Sequence, residues 1–147
     1  MRFSNLCLLA SGLALLGACT MQATTTGTDP VLNAEAEALY DDLVAGKDDA
    51  LVARLAPTAD VAAVRAQLPL DRSLTGAGAA PDPTVTNSVK TRSTEGSAYA
   101  VTQAYTYPDR VVTLSTDFAQ LGEAWKVRSF KVEARMVPVA APAAPPA

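Results

Sequence analysis

Between Pro30 and Ala45 the apolar residues Ala36, Leu39, Tyr40, Leu43 and Val44 recur at the three-and-four spacing of one helix face. Glu35, Glu37, Asp41 and Asp42 fall largely elsewhere. Asp29 stands where a carboxylate can cap free amides, Pro30 suits the first helical position, and Gly46 offers a stop. The pattern predicts a helix over 30–45. Two shorter stretches repeat the period. Leu51, Val52 and Leu55 follow Asp48 and Asp49, either of which can cap, and precede Pro57; Val61, Val64 and Leu68 follow a cap at Thr58 or Asp60 and are closed by Pro69. Gly, Ala and Pro then dominate from Leu70 to Pro83, which predicts a surface loop.

From Thr84 the period drops to two. Val85, Asn87, Val89 and Thr91 alternate with Thr86, Ser88 and Lys90, which suits a strand. Three more strands are expected over 97–107, 110–120 and 124–137, separated by turns at Glu95-Gly96, Pro108-Asp109 and Leu121-Gly122-Glu123. In the second strand Tyr99, Val101 and Tyr105 share a side; in the third, Val112, Leu114 and Phe118 do. In the last, Trp125 and Val127 have one parity and Phe130 and Val132 the other. A bulge near Arg128-Ser129 reconciles them, because one extra residue flips the facing of all that follow. Helices first and a meander afterwards predict an α+β domain, with amino-terminal helices packed on a curved four-stranded antiparallel sheet.

The front of the chain is different in kind. Arg2 precedes an apolar run from Leu6 to Leu16 that ends in small residues, the layout of a secretory signal and too short for the roughly 20 residues of a spanning helix. Leu16-Gly17-Ala18-Cys19 resembles the lipobox of bacterial lipoproteins, an aliphatic residue and two small ones before an obligatory cysteine. The resemblance implies a diacylglycerol thioether on Cys19, cleavage between Ala18 and Cys19, and fatty acylation of the new amino terminus, palmitate being the expected acid. Several acyl chains together make an anchor that does not release. The residue after Cys19 is Thr20 and not aspartate, which by the same resemblance favours the outer membrane, facing the periplasm. The expected organisation is a signal peptide over 1–18, a flexible threonine-rich tether over 19–29, the α+β domain over 30–137, and a disordered Pro/Ala-rich tail over 138–147.

Composition narrows the chemistry. The 147 residues include no histidine, which removes the commonest acid–base group near neutral pH and the commonest metal ligand. Both cysteines, Cys7 and Cys19, lie within the first twenty residues; processing would remove Cys7 and block Cys19, so no disulfide, cysteine nucleophile or thiolate metal site is expected in the domain. A formal net charge of -3 without a basic run gives no footprint for nucleic acid. No nucleophile elbow or phosphate-binding loop is present. No cofactor is expected.

The stretch Tyr105-Thr106-Tyr107-Pro108-Asp109-Arg110-Val111, leading to Ala124-Trp125-Lys126-Val127-Arg128-Ser129-Phe130, looks like the NTF2-like superfamily. Small envelope proteins of that group often end in Gly-x-x-Trp-Lys-x-x-x-Phe, which Gly122, Trp125, Lys126 and Phe130 fit. The resemblance, covering roughly 30–137, implies a sheet wrapped on a long helix as a cone with an apolar pocket. Enzymes of the group use an Asp or Glu base, a His, or a Tyr in the cavity. Asp117 has the opposite parity to Phe118 and is expected to face solvent, and Glu133 sits among Lys and Arg as a solvated charge. Tyr99, Val101, Tyr105 and Trp125 are the candidate pocket or interface residues. The expected function is a non-catalytic binding domain, whose partners are the membrane through Cys19 and an envelope protein or apolar small ligand. The alternatives are a cavity-type enzyme and a homodimerisation module.

Overall fold

A computed structural model of the chain describes residues 23–94 and 96–138. The segment expected as a signal peptide, Ala18 and Cys19 with it, and the expected tail from residue 139 lie outside the described residues.

Helix α1, Pro30–Val44, begins where the caps predict: Asp29 Oδ1 accepts from the Leu32 amide at 3.3 Å, and Gly46 takes φ +68° just past the end. Leu32, Ala36, Leu39, Tyr40 and Leu43 are fully or almost fully buried along one face, each large side chain contributing about 1.5–3 kcal/mol by leaving water. Asp42 is also buried, where the sequence period placed it off the core face; it accepts from Arg54 Nε at 3.0 Å, which answers its charge. Helix α2, Asp48–Ala53, is preceded by Lys47 as its capping residue. Asp48 and Asp49 are therefore not the caps but first-turn residues, where negative charge suits the helix dipole. They reach α3 instead, Asp48 pairing with Arg72 and Asp49 with Arg65.

Helix α3, Val61–Leu74, is capped by Asp60, whose Oδ1 accepts from the Ala63 amide at 3.0 Å. It runs through Pro69, so the expected stop there, and the loop from Leu70, are corrected. An interior proline costs about 3 kcal/mol of helix, and contacts beyond it compensate. Asp71 is buried, Arg72 Nε donates to the Leu43 carbonyl at 3.1 Å, and Arg72 also holds Asp48.

The sheet has five strands, not the expected four. They are β1 Ala23–Thr26, β2 Thr84–Ser93, β3 Gly96–Thr106, β4 Arg110–Leu121 and β5 Ala124–Met136, in the open antiparallel order β1-β2-β3-β4-β5. The added strand lies inside the segment expected as a flexible tether. Its register runs from Ala23 opposite Arg92 to Thr26 opposite Val89, backbone pairing that needs no apolar period to announce it. In β5 the register slips so that Asp117 opposes Ser129 while Phe118 opposes Val127, which makes Arg128 the extra residue of the expected bulge. A second bulge, at Thr86, turns Ser88 and Lys90 to the inner face, opposite Val101 and Tyr99. Helices cover that inner face. Tyr99, Val101, Gln103 and Tyr105 of β3 meet Val112, Leu114, Thr116 and Phe118 of β4 there, all buried.

Candidate functional site

Three elements leave a groove of about 600 Å³ between them. The first turns of α1 supply Val31, Leu32 and Glu35; α2 and its end supply Ala50, Ala53 and Arg54; the β4–β5 hairpin supplies Phe118, Trp125, Lys126 and Val127. The volume lies in the usual range for small-ligand sites. The lining is mostly apolar, with Glu35, Arg54 and Lys126 as its charged members. Arg54, its side chain 29% exposed, grips Glu35 at 2.6 Å and Asp42 at 3.0 Å. Lys126 Nζ donates to the Ala53 carbonyl at 3.3 Å. Backbone pairing ties the end of α2 to β5 along one side of the groove, since the Val127 amide donates to the Arg54 carbonyl and the Ala56 amide to the Val127 carbonyl.

Trp125 belongs to this groove. Lys90 Nζ lies 5.6 Å from its ring centroid and 3.1 Å from Asp29 Oδ2. Burial works to raise the Asp29 carboxyl. The Lys90 ammonium and the Leu32 and Val31 amides outweigh it and hold the group below the ordinary carboxylate range. The start of α1 is thereby tied to β2 beside the indole.

The other candidate residues of the sequence lie elsewhere. Tyr99, Val101 and Tyr105 line neither this groove nor the smaller pocket described below; they are core. The Tyr99 hydroxyl donates to Asn33 Oδ1 at 2.7 Å and accepts from the Asp29 amide at 3.1 Å. Tyr105 stacks on Tyr40 with ring centroids 3.7 Å apart, and its hydroxyl donates to Gln103 Oε1 at 3.2 Å. Burial pushes the Tyr40 and Tyr105 phenols far above the ordinary tyrosine range. Tyr40 meets Tyr107 hydroxyl to hydroxyl at 3.0 Å. These rings, at the far end of α1, are satisfied structural groups.

Asp117 and Glu133 both stand on the outer face, opposite the helices. Asp117 accepts from Ser129 Oγ at 2.8 Å, and Glu133 pairs with Lys131 at 2.8 Å. Besides Asp42, the buried carboxyl group is Asp71, 4% exposed, which lines a pocket of about 200 Å³ between α3 and the bulge of β5. Burial raises its pKa, and the single long bond from Gln67 Nε2, 3.5 Å, opposes that weakly. Sequence reasoning missed it. Its spacing from Val64 and Leu68 puts it on the apolar face of α3, but Pro69 by itself predicts the end of that face. Val31 and Ala53 were missed for another reason: they matter only because α1, α2 and β5 converge.

Among the described residues no three His, Cys, Asp or Glu side chains are grouped to hold a metal ion, and no helix is long and apolar enough to cross a membrane. In comparisons with known proteins, no family model, no curated protein and no solved structure matches this chain.

Proposed function

We propose that this chain is a lipid-anchored envelope lipoprotein whose domain is a non-catalytic binding module. Cys19 carries the lipid after cleavage behind Ala18, and the outer membrane, periplasmic side, is the address. The groove beside Trp125 receives an apolar group, from a small ligand or from a side chain of an envelope partner. One observation carries the binding part: a mostly apolar groove of about 600 Å³ has a half-buried indole in its wall, with Glu35, Arg54 and Lys126 as its charged members. The anchor part rests on Leu16-Gly17-Ala18-Cys19 behind a short apolar run. The NTF2-like reading of the domain is supported by a long helix laid on the inner face of an antiparallel meander.

Two measurements test these parts separately. Mass spectrometry of protein from its native membrane should find the lipid adduct on the Cys19 peptide, and Cys19→Ser should move the protein to the soluble fraction. A variant that stays in the membrane fraction refutes the anchor. For the groove, 1-anilinonaphthalene-8-sulfonate should bind and take energy from Trp125, and Ala53→Arg should abolish that transfer without unfolding. Transfer that persists in Ala53→Arg refutes the groove as the site.

A further inference from the structure

We infer that the domain rests on the bilayer with the end of its sheet that carries the β2–β3 and β4–β5 turns, so that the Trp125 groove lies at the lipid headgroups. This rests on the lipid anchor at Cys19 proposed above.

The first argument is reach. Three residues separate Cys19 from Ala23, where β1 begins, and the four extended steps between them span at most about 14 Å. The domain cannot stand far off the surface that holds the lipid. The second is where β1 begins. Ala23 pairs with Arg92, one step from the Ser93–Gly96 pair that closes the β2–β3 turn. Gln120 pairs with Trp125, one step from the Leu121–Ala124 pair that closes the β4–β5 turn. Ala98 opposite Ala119 places both turns at one end of the sheet. The amino terminus of α1 lies there too, because Asp29 reaches Tyr99 and Lys90.

The third argument is the chemistry of that end. Leu121 is 44% and Val31 68% exposed, and the half-buried Trp125 lines the groove with Val31 and pairs with Gln120, the residue before Leu121. Arg92 is exposed beside the point where the chain enters, and Lys126 lies at the groove rim. An indole with apolar neighbours and nearby cations is the composition that settles at the boundary of lipid tails and phosphates. Glu123, exposed in the turn, and Glu35, exposed in the groove wall, are opposing charges. Exposed Met136 marks the other end of the sheet, so apolar exposure alone does not choose between the ends; the entry point of the anchored chain does. Tethering then keeps the lipid surface at high local concentration, so weak contacts suffice to hold the orientation.

The chain has one tryptophan, so its emission reports this end alone. The test uses the full lipidated protein, purified from native membranes and reconstituted into vesicles of zwitterionic and anionic phospholipid. Part of the lipid is brominated at a known depth. The expected result is loss of most Trp125 emission to lipid brominated near the headgroup, and recovery of emission in Leu121→Glu, which remains anchored. An adduct on Cys19 with full sedimentation, but emission equal to that of soluble Cys19→Ser protein with the same vesicles, overturns the orientation while leaving the anchor intact. Absence of both adduct and sedimentation removes the anchor and the orientation together. Equal quenching in Leu121→Glu and its parent refutes the contact through this turn.

Discussion

Lys90 Nζ is shared between two partners, the Trp125 ring at 5.6 Å and Asp29 Oδ2 at 3.1 Å, so that one ammonium links the edge strand of the groove to the first turn of α1. Both polar side chains are partly exposed, 36% and 23%, so solvent screens the pair. Lys90→Met should lower stability by about 1 kcal/mol, the sum of a screened ion pair and a modest cation–π contact. It should also change the acid limb. A carboxyl held below its ordinary range adds stability at higher pH that is lost as pH falls through the depressed value. Without Lys90 that loss should begin at higher pH. Urea unfolding of both proteins across the acid range checks the direction.

The Tyr40 and Tyr107 hydroxyls satisfy one another in the core at 3.0 Å. Either single change to phenylalanine leaves the other hydroxyl buried without its partner and should cost about 1–3 kcal/mol. The double variant should cost less than the two singles added. A double-mutant cycle by denaturant unfolding measures the difference, and strict additivity would show that the two hydroxyls do not depend on each other.

Thr116 presents the opposite case. It is 1% exposed on the inner face, and its Oγ1 has no hydrogen-bond partner among the described residues. Thr116→Val replaces an unpaired hydroxyl by a methyl group and should be neutral or stabilising by up to about 1 kcal/mol. Thermal unfolding reads this directly; a clear loss of stability would mean the hydroxyl is satisfied.

Asp71 should shape the pH dependence in the reverse sense to Asp29. Its pKa is raised in the folded state, so the folded protein holds the proton over a range where the unfolded chain has released it. Stability therefore falls as pH rises from the ordinary carboxylate range through the raised value, and stays lower above it. Asp71→Asn should flatten this slope and stabilise the protein near neutral pH by about 1 kcal/mol, the scale of a buried polar group with too few partners. A pH series of unfolding midpoints for the two proteins decides it.

Gly76 lies so close to the ring of Tyr107 that an added Cβ would overlap Cδ1 and Cγ. Gly76→Ala should cost about 1–3 kcal/mol by overpacking, since the Tyr107 ring is buried and its hydroxyl is held by that of Tyr40. Unfolding midpoints check this, and an unchanged midpoint would mean the 75–83 loop moves freely away from the core.

Local signals carried much of this protein. The caps and the period of α1, the four long strands, the inward side of Tyr99, Val101 and Tyr105, and the bulge at Arg128 depend on spacings of a few residues. So does the outward facing of Asp117 and Glu133. The sequence therefore determined the core face of α1 and the inward sides of the four long strands. It also directed attention to Trp125, though with three tyrosine and valine neighbours that turned out to be packed interior.

Tertiary structure decided the rest. β1 exists because β2 offers it backbone partners far along the chain, and a polar threonine segment gives no period to reveal that. Helix α3 continues past Pro69 because Leu43, Asp48 and the body of the sheet hold its last turn, offsetting a local penalty that by itself predicts an end. The groove and the Asp71 pocket are spaces between elements, and a space has no residue pattern of its own. Its shape and its buried charge follow only once α1, α2, α3 and β5 are brought together by burial of the shared core.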